Sequence, residues 1–143
     1  MTLQLRHETP DDMAAIEAVT VAAFAEAAHT SHTEQFIVCA LRAANELTLS
    51  TWPTTWPISV LPQRQGHGIG SRLMEQALSE LRAMQAAGCV LLGDPAYYGR
   101  FGFQAHAGLQ LPGVPPGYFM ALALHGPVPE GIARYSDAFN AAA

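Results

Sequence analysis

Apolar and polar residues alternate at the start of the chain, with Leu3 and Leu5 on one side and Gln4 and Arg6 on the other. A period of two predicts a short, half-buried strand. Thr9-Pro10-Asp11-Asp12 then has the chemistry of a helix start: a hydroxyl that caps, a proline suited to the first turn, and two carboxylates at the positive end. Ile16, Val19 and Phe24, with alanines between them, continue as an apolar helical stripe. The polar stretch 29–32 interrupts it. Ser31 or Thr33 caps a second predicted helix through Phe36, Ile37, Ala40, Leu41 and Ala44. Leu47-Thr48-Leu49-Ser50 is strand-like. The next segment, 51–57, holds Pro53 and Pro57, which exclude a helix or a central strand. It also holds Trp52 and Trp56, too apolar for a purely solvated linker.

Ile58-Ser59-Val60-Leu61 is a further strand candidate, stopped by Pro62. Gly66-His67-Gly68-Ile69-Gly70 makes a glycine-rich turn. It feeds a long amphipathic helix with Ile69, Leu73, Ala77, Leu78, Leu81 and Met84 inward. Arg72, Glu75, Gln76, Ser79, Glu80 and Arg82 face outward, and Gly88 ends the helix. Cys89-Val90-Leu91-Leu92 is continuously apolar, as in a strand buried on both faces. Residues 58–92 therefore predict a right-handed βαβ crossover with parallel strands. A short aromatic helix or turn follows at 96–101. The strongest later strand is Tyr118-Phe119-Met120-Ala121-Leu122-Ala123-Leu124. Five prolines from Pro112 to Pro129 make this end loop-rich, and 140–143 is a frayed tail. No repeat and no long break divides 1–143, which reads as one α/β domain.

Composition narrows the function. Half of the 143 residues are hydrophobic and 13% are charged, which excludes a disordered acidic chain. A net charge of −5 argues against nucleic acid as the partner, since phosphate binding needs an excess of cations. No apolar run reaches the roughly 20 residues that cross a bilayer, and 1–12 lacks an export signal. Cys39 and Cys89 lie in apolar surroundings and read as buried thiols, so a reducing, cytoplasmic setting and no metal site are expected.

The strongest chemical signal is the stretch 65–71. Glycines let the backbone approach a ligand closely, and a helix that begins there offers free N–H groups and a positive dipole end. A tight turn without a ligand is the plain alternative, but three alternate glycines opening a helix favour a phosphate or diphosphate site. A nucleotide P-loop needs Gly-Lys-Ser/Thr, and here Gly70 is followed by Ser71 and Arg72. A dinucleotide fingerprint needs a third glycine where Ser71 or Leu73 stands. Neither fits.

Gln65, Gly68 and Gly70 do meet the pattern Q/R-x-x-G-x-G/A, and Tyr98 with Gly102-Phe103 meets a second pattern of tyrosine, three residues, then Gly-Phe. On these two motifs in order the sequence resembles the Gcn5-related N-acetyltransferases. Residues 89–103 and 111–116 resemble more narrowly the bacterial YhbS-like branch. The resemblance implies an acyl-CoA N-acyltransferase fold, a mixed sheet flanked by helices, with acetyl-CoA as donor. It implies that backbone N–H groups of Gln65, Gly66, His67, Gly68, Ile69, Gly70 and Ser71 hold the diphosphate, and that Val60 and Leu61 pair with the pantetheine arm. Tyr98 would protonate the departing thiolate, a role open to a phenol that is protonated at neutral pH; Tyr97 is the alternative. Asp94 and Arg100 either position the short helix or the coenzyme, or serve as a cap and a surface charge. Glu26, His29 and His32 fall in a connection that commonly borders the acceptor in this family. No general base is named by the sequence.

The sequence departs from the family before the glycine turn. The seven residues 51–57 leave no space for a full hairpin, so about two strands are expected to be missing. Seven extended residues span about 23–25 Å, just enough to return along one strand. The expected outcome is an exposed sheet edge, which leaves room for a homodimer. Three readings stand: an acetyltransferase acting on a small-molecule or peptide amine, a catalytically impaired CoA-binding domain, and an interaction module using the exposed edge.

Overall fold

A computed structural model describes residues 2–25 and 58–134 of the chain. The predicted second helix, the strand at 47–50, the segment 51–57, Glu26, His29, His32 and the tail all lie outside the described residues. So does the expected loss of strands.

The first helix, α1 (Met13–Phe24), is entered through one 3-10 turn, Pro10–Asp12. The start is built as its sequence indicates. The Asp12 N–H donates to the Thr9 carbonyl at 2.9 Å, and the Thr9 N–H and hydroxyl donate back to the Asp12 carboxylate at 2.8 and 2.9 Å. Arg6 forks onto both carboxylate oxygens at 2.6 and 2.8 Å. That guanidinium first, then the Thr9 N–H, holds the Asp12 carboxyl well below its usual range. Among the described residues, 3–6 form no ladder, and Leu5 is exposed. Period-two patterning sets which side chains share a face; it does not supply a neighbour to bond with.

Residues 58–61 are extended without a ladder partner among the described residues, and Pro62–Arg64 then forms a 3-10 turn. The second helix, α2 (Ile69–Ala83), follows the glycines. Its buried stripe is Met74, Leu78 and Leu81, at spacings of four and three. Met74 is fully buried, while Met84, expected inside, is 60% exposed. The helix stops before Met84, so the later residues no longer follow the helical period. The strand β1 (Gly88–Leu92) comes next, then the short α3 (Pro95–Tyr98), a 3-10 turn Gly99–Phe101, β2 (Leu109–Gln110), β3 (Phe119–Ala123) and β4 (Gly131–Ile132).

The strand expected at 58–61 forms no ladder with β1, so the expected parallel crossover does not appear as a bonded pair. The described ladder of β1 is with β3 and is antiparallel, running from Gly88↔Ala123 to Leu92↔Phe119. Residues 58–61 do not bond to β1, and β2 pairs with β4 in a separate parallel pair. The core forms where α2 covers the β1–β3 pair: Met74, Leu78, Leu81, Cys89, Leu91, Phe103 and Met120 pack together. Each such side chain contributes roughly 1.5–3 kcal/mol by leaving water. Among the described residues no helix is long and apolar enough to cross a membrane.

Candidate functional site

The site grows from the start of α2. Gly66 and Gly68 both have φ of +76°, and a Cβ built at either would meet nothing within 4 Å. Two left-handed positions therefore turn the chain while its surface stays open to a ligand. Gly68 precedes the helix with no side-chain cap, and the first turn has no acidic residue. Within one chain the contrast is clear. The 3-10 turn that leads into α1 carries Asp11 and Asp12, whereas α2 begins with unfilled donors next to Arg64 and Arg72. The residues fit a diphosphate.

The turn is braced by its own side chains. His67 Nδ1 lies 2.8 Å from the Gln65 carbonyl and 3.2 Å from that of Arg64. Carbonyls only accept, so Nδ1 carries the proton and the ring is committed to the turn. The Gln65 side-chain amide donates to the Val60 carbonyl at 3.1 Å, and the Leu61 carbonyl accepts the Arg64 N–H at 2.8 Å. Both carbonyls of the expected donor-pairing residues are thus spent inside the turn. The N–H groups of Val60 and Leu61 have no partner among the described residues. Gln65 also explains why a glutamine suits this motif position: it ties the strand end to the turn.

On the other side stands α3. Asp94 accepts the Ala96 N–H at 2.9 Å, so its role in the structure is that of a cap. Tyr97 directs its hydroxyl at Gly70: a Cβ there would sit 3.0 Å from Tyr97 Oη and 3.7 Å from Val60 Cγ2. The extended residues, the helix mouth and a phenol therefore meet at one small residue. Tyr98 stands edge-on to Tyr97, with ring centroids 4.9 Å apart, and also contacts Phe103. Its ring lies on Gly93, where a Cβ would come within 2.4 Å of Tyr98 Cε2. Burial, and then the neighbouring Tyr97, pushes the Tyr98 phenol above its ordinary range. Among the described residues neither phenolic hydroxyl has a hydrogen-bond partner. Arg100 lies over the Tyr97 ring at 4.1 Å and donates Nε–H to the Tyr97 carbonyl at 3.0 Å.

Sequence reading missed Gly93 and Ser59. Gly93 shows only as a residue after a strand, and nothing in the spacing announces a ring upon it. The Ser59 hydroxyl lies 3.4 Å from that of buried Thr20, which donates to the Ile16 carbonyl at 2.8 Å. This polar contact joins α1 to residues 58–61.

The site thus combines a glycine turn, a helix start without a side-chain cap, and two neighbouring phenols. Comparison with known proteins specifies the class. Residues 17–105 match the Acetyltransferase (GNAT) domain, and the chain belongs to that family. It is 40% identical over 52 residues to the uncharacterized N-acetyltransferase YjhQ of Escherichia coli (strain K12), covering 36% of this chain and 29% of that protein. It is 32% identical over 95 residues to the uncharacterized N-acetyltransferase YhbS of the same strain, covering 62% of this chain and 57% of that protein. The chain thus aligns with less than two thirds of either curated relative.

Solved structures match further. A GNAT family acetyltransferase from Brucella melitensis, in complex with acetyl-CoA, superimposes with a TM-score of 0.81 at 40% identity, covering 94% of this chain and 96% of that one. YhbS from Escherichia coli, in complex with CoA, gives 0.82 at 26% identity, covering 95% and 91%. The fold is that of the GNAT acyltransferases, and the similarity to YhbS places the chain in the YhbS-like branch.

Proposed function

We propose that this protein is an N-acetyltransferase that moves an acetyl group from acetyl-CoA to a primary amine. The observation that carries the proposal is the open, left-handed glycine turn before uncapped α2 in a chain of this family. N–H groups from Gln65 to Ser71 receive the diphosphate, and the unpartnered N–H groups of Val60 and Leu61 guide the pantetheine arm. The amine nitrogen attacks the thioester carbonyl, a C–N bond forms, the C–S bond breaks, and the amine's proton leaves to solvent or a base. The departing sulfur takes a proton from the Tyr98 phenol. A phenol raised by burial stays protonated throughout the neutral range, as an acid must.

The competing reading is a domain that binds CoA without turnover, and acetyl-CoA consumption separates it from the enzyme. The acceptor is a small-molecule or peptide amine. A buried Cys89 thiol, pushed up to about 12 by desolvation, suits a cytoplasmic setting in which thiols stay reduced.

The test is acetyl-CoA consumption against a panel of amines, followed by Tyr98→Phe. We expect kcat to fall about 100-fold or more while the CoA dissociation constant changes by less than about threefold. Activity should also decline at alkaline pH as the phenol ionises, and Tyr98→Phe should remove that limb. Equal loss of kcat and affinity argues against an acid role. Absence of CoA binding by the unaltered protein overturns the function.

A further inference from the structure

The donor proposed above carries three phosphates, and the glycine turn accounts for two of them. The third, a monoester on the ribose, needs its own cation within a nucleoside's reach of the diphosphate. The chain has no lysine; all seven basic residues are arginines. Arg6 is committed to Asp12, and Arg82 belongs to the last turn of α2, at the far end from the glycines.

Arg100 differs from both. Its Nε–H is tied to the Tyr97 carbonyl, and its guanidinium lies over the Tyr97 ring at 4.1 Å. The side chain is exposed, yet it is held at two points, so part of the rotamer entropy that a free arginine loses on binding is already spent. Its two terminal nitrogens have no partner among the described residues. The same Tyr97 that carries this guanidinium on its face reaches Gly70, in the first turn of α2, with its hydroxyl. One rigid aromatic ring therefore separates a preorganised guanidinium fork from the diphosphate cradle.

We propose that Arg100 is a phosphate-monoester site. It recognises the ribose 3′-phosphate of the coenzyme and makes this protein prefer coenzyme A to its dephospho form. The inference rests on the coenzyme reading above and adds a specificity-determining residue to it. A guanidinium fork is matched to a phosphate dianion in charge and in geometry. Tyr97 acts as its platform.

Titration calorimetry with coenzyme A and dephospho-coenzyme A tests this on the full chain. The unaltered protein should bind coenzyme A roughly tenfold more tightly. In Arg100→Gln the two affinities should become equal, with that for the dephospho form unchanged. Arg100→Lys keeps the charge without the fork and should retain part of the preference. Arg82→Gln, in the last turn of α2, should keep all of it. A preference that survives in Arg100→Gln overturns the proposal, as does an equal weakening of both ligands. Tight and equal binding of both forms by the unaltered protein overturns it too and leaves the coenzyme site standing. Binding of neither form removes both.

Discussion

Gly93 sits where β1 ends, and the ring of Tyr98 occupies the space its side chain would need, with Cε2 2.4 Å and Cδ2 2.8 Å from a built Cβ. Only a hydrogen fits there without moving the ring. Gly93→Ala should therefore displace Tyr98 by a fraction of an ångström to an ångström, and misplacement on that scale costs up to about 100-fold in rate. We expect kcat to fall at least tenfold with CoA affinity nearly unchanged, and little further loss when Gly93→Ala is added to Tyr98→Phe. Steady-state kinetics on the two single variants and the double variant checks this; additive losses would mean that Gly93 acts elsewhere. The proposed role of Tyr98 rests on its spacing to Gly102-Phe103, which the sequence displays. Gly93 was not legible there, because a ring stacked on a backbone leaves no periodic trace. The contact between Tyr97 and Gly70 was equally hidden, since 27 positions of sequence separate them and only folding brings them together.

At the scale of elements, the two ends of α2 are made by left-handed residues. At the start this is Gly68, at no steric cost. At the end it is Gln85, with φ of 58°. Its N–H bonds the Arg82 carbonyl at 3.0 Å, and the Ala86 N–H bonds that of Leu81 at 3.0 Å, which is a Schellman closure. The sequence points to Gly88 as the stop; instead Gly88 opens β1 opposite Ala123. The reason is packing: buried Ala86 closes against the last turn, and the strand must begin two residues later to reach its register. Gln85→Gly should relieve the left-handed strain and stabilise the protein by about 0.5–1 kcal/mol, net of glycine's extra unfolded-state entropy. Urea unfolding should show a higher midpoint at an unchanged slope, and Gln85→Ala should show no gain. A destabilised glycine variant would mean that the glutamine side chain makes a contribution beyond the backbone bonds.

For the molecule as a whole, a chain of net charge −5 is proposed to receive a polyanionic donor. Bulk attraction cannot supply the binding, so fixed local donors must: the turn's N–H groups, the helix end and nearby arginines. Because such a ligand binds only the folded state, coenzyme A at about 100 times its dissociation constant should raise the melting temperature by roughly 5–10 °C. Gly68→Glu should abolish the shift, since it strains a left-handed position and sets a carboxylate where the diphosphate enters. An undiminished shift in this variant would remove the glycine turn from the site. By itself the sequence determined the acid-capped start of α1, the long helix after the glycines, the apolar strands at 89–92 and 119–123, and the two motifs that mark the family. These are local signals, written in capping chemistry, periodicity and fixed spacings. Tertiary structure alone decided that β1 pairs antiparallel with β3, that both carbonyls of Val60 and Leu61 are consumed inside the turn, and that Gly70 faces the Tyr97 hydroxyl and Gly93 the Tyr98 ring. Those outcomes depend on which distant surfaces share one core, a quantity no short window of residues contains.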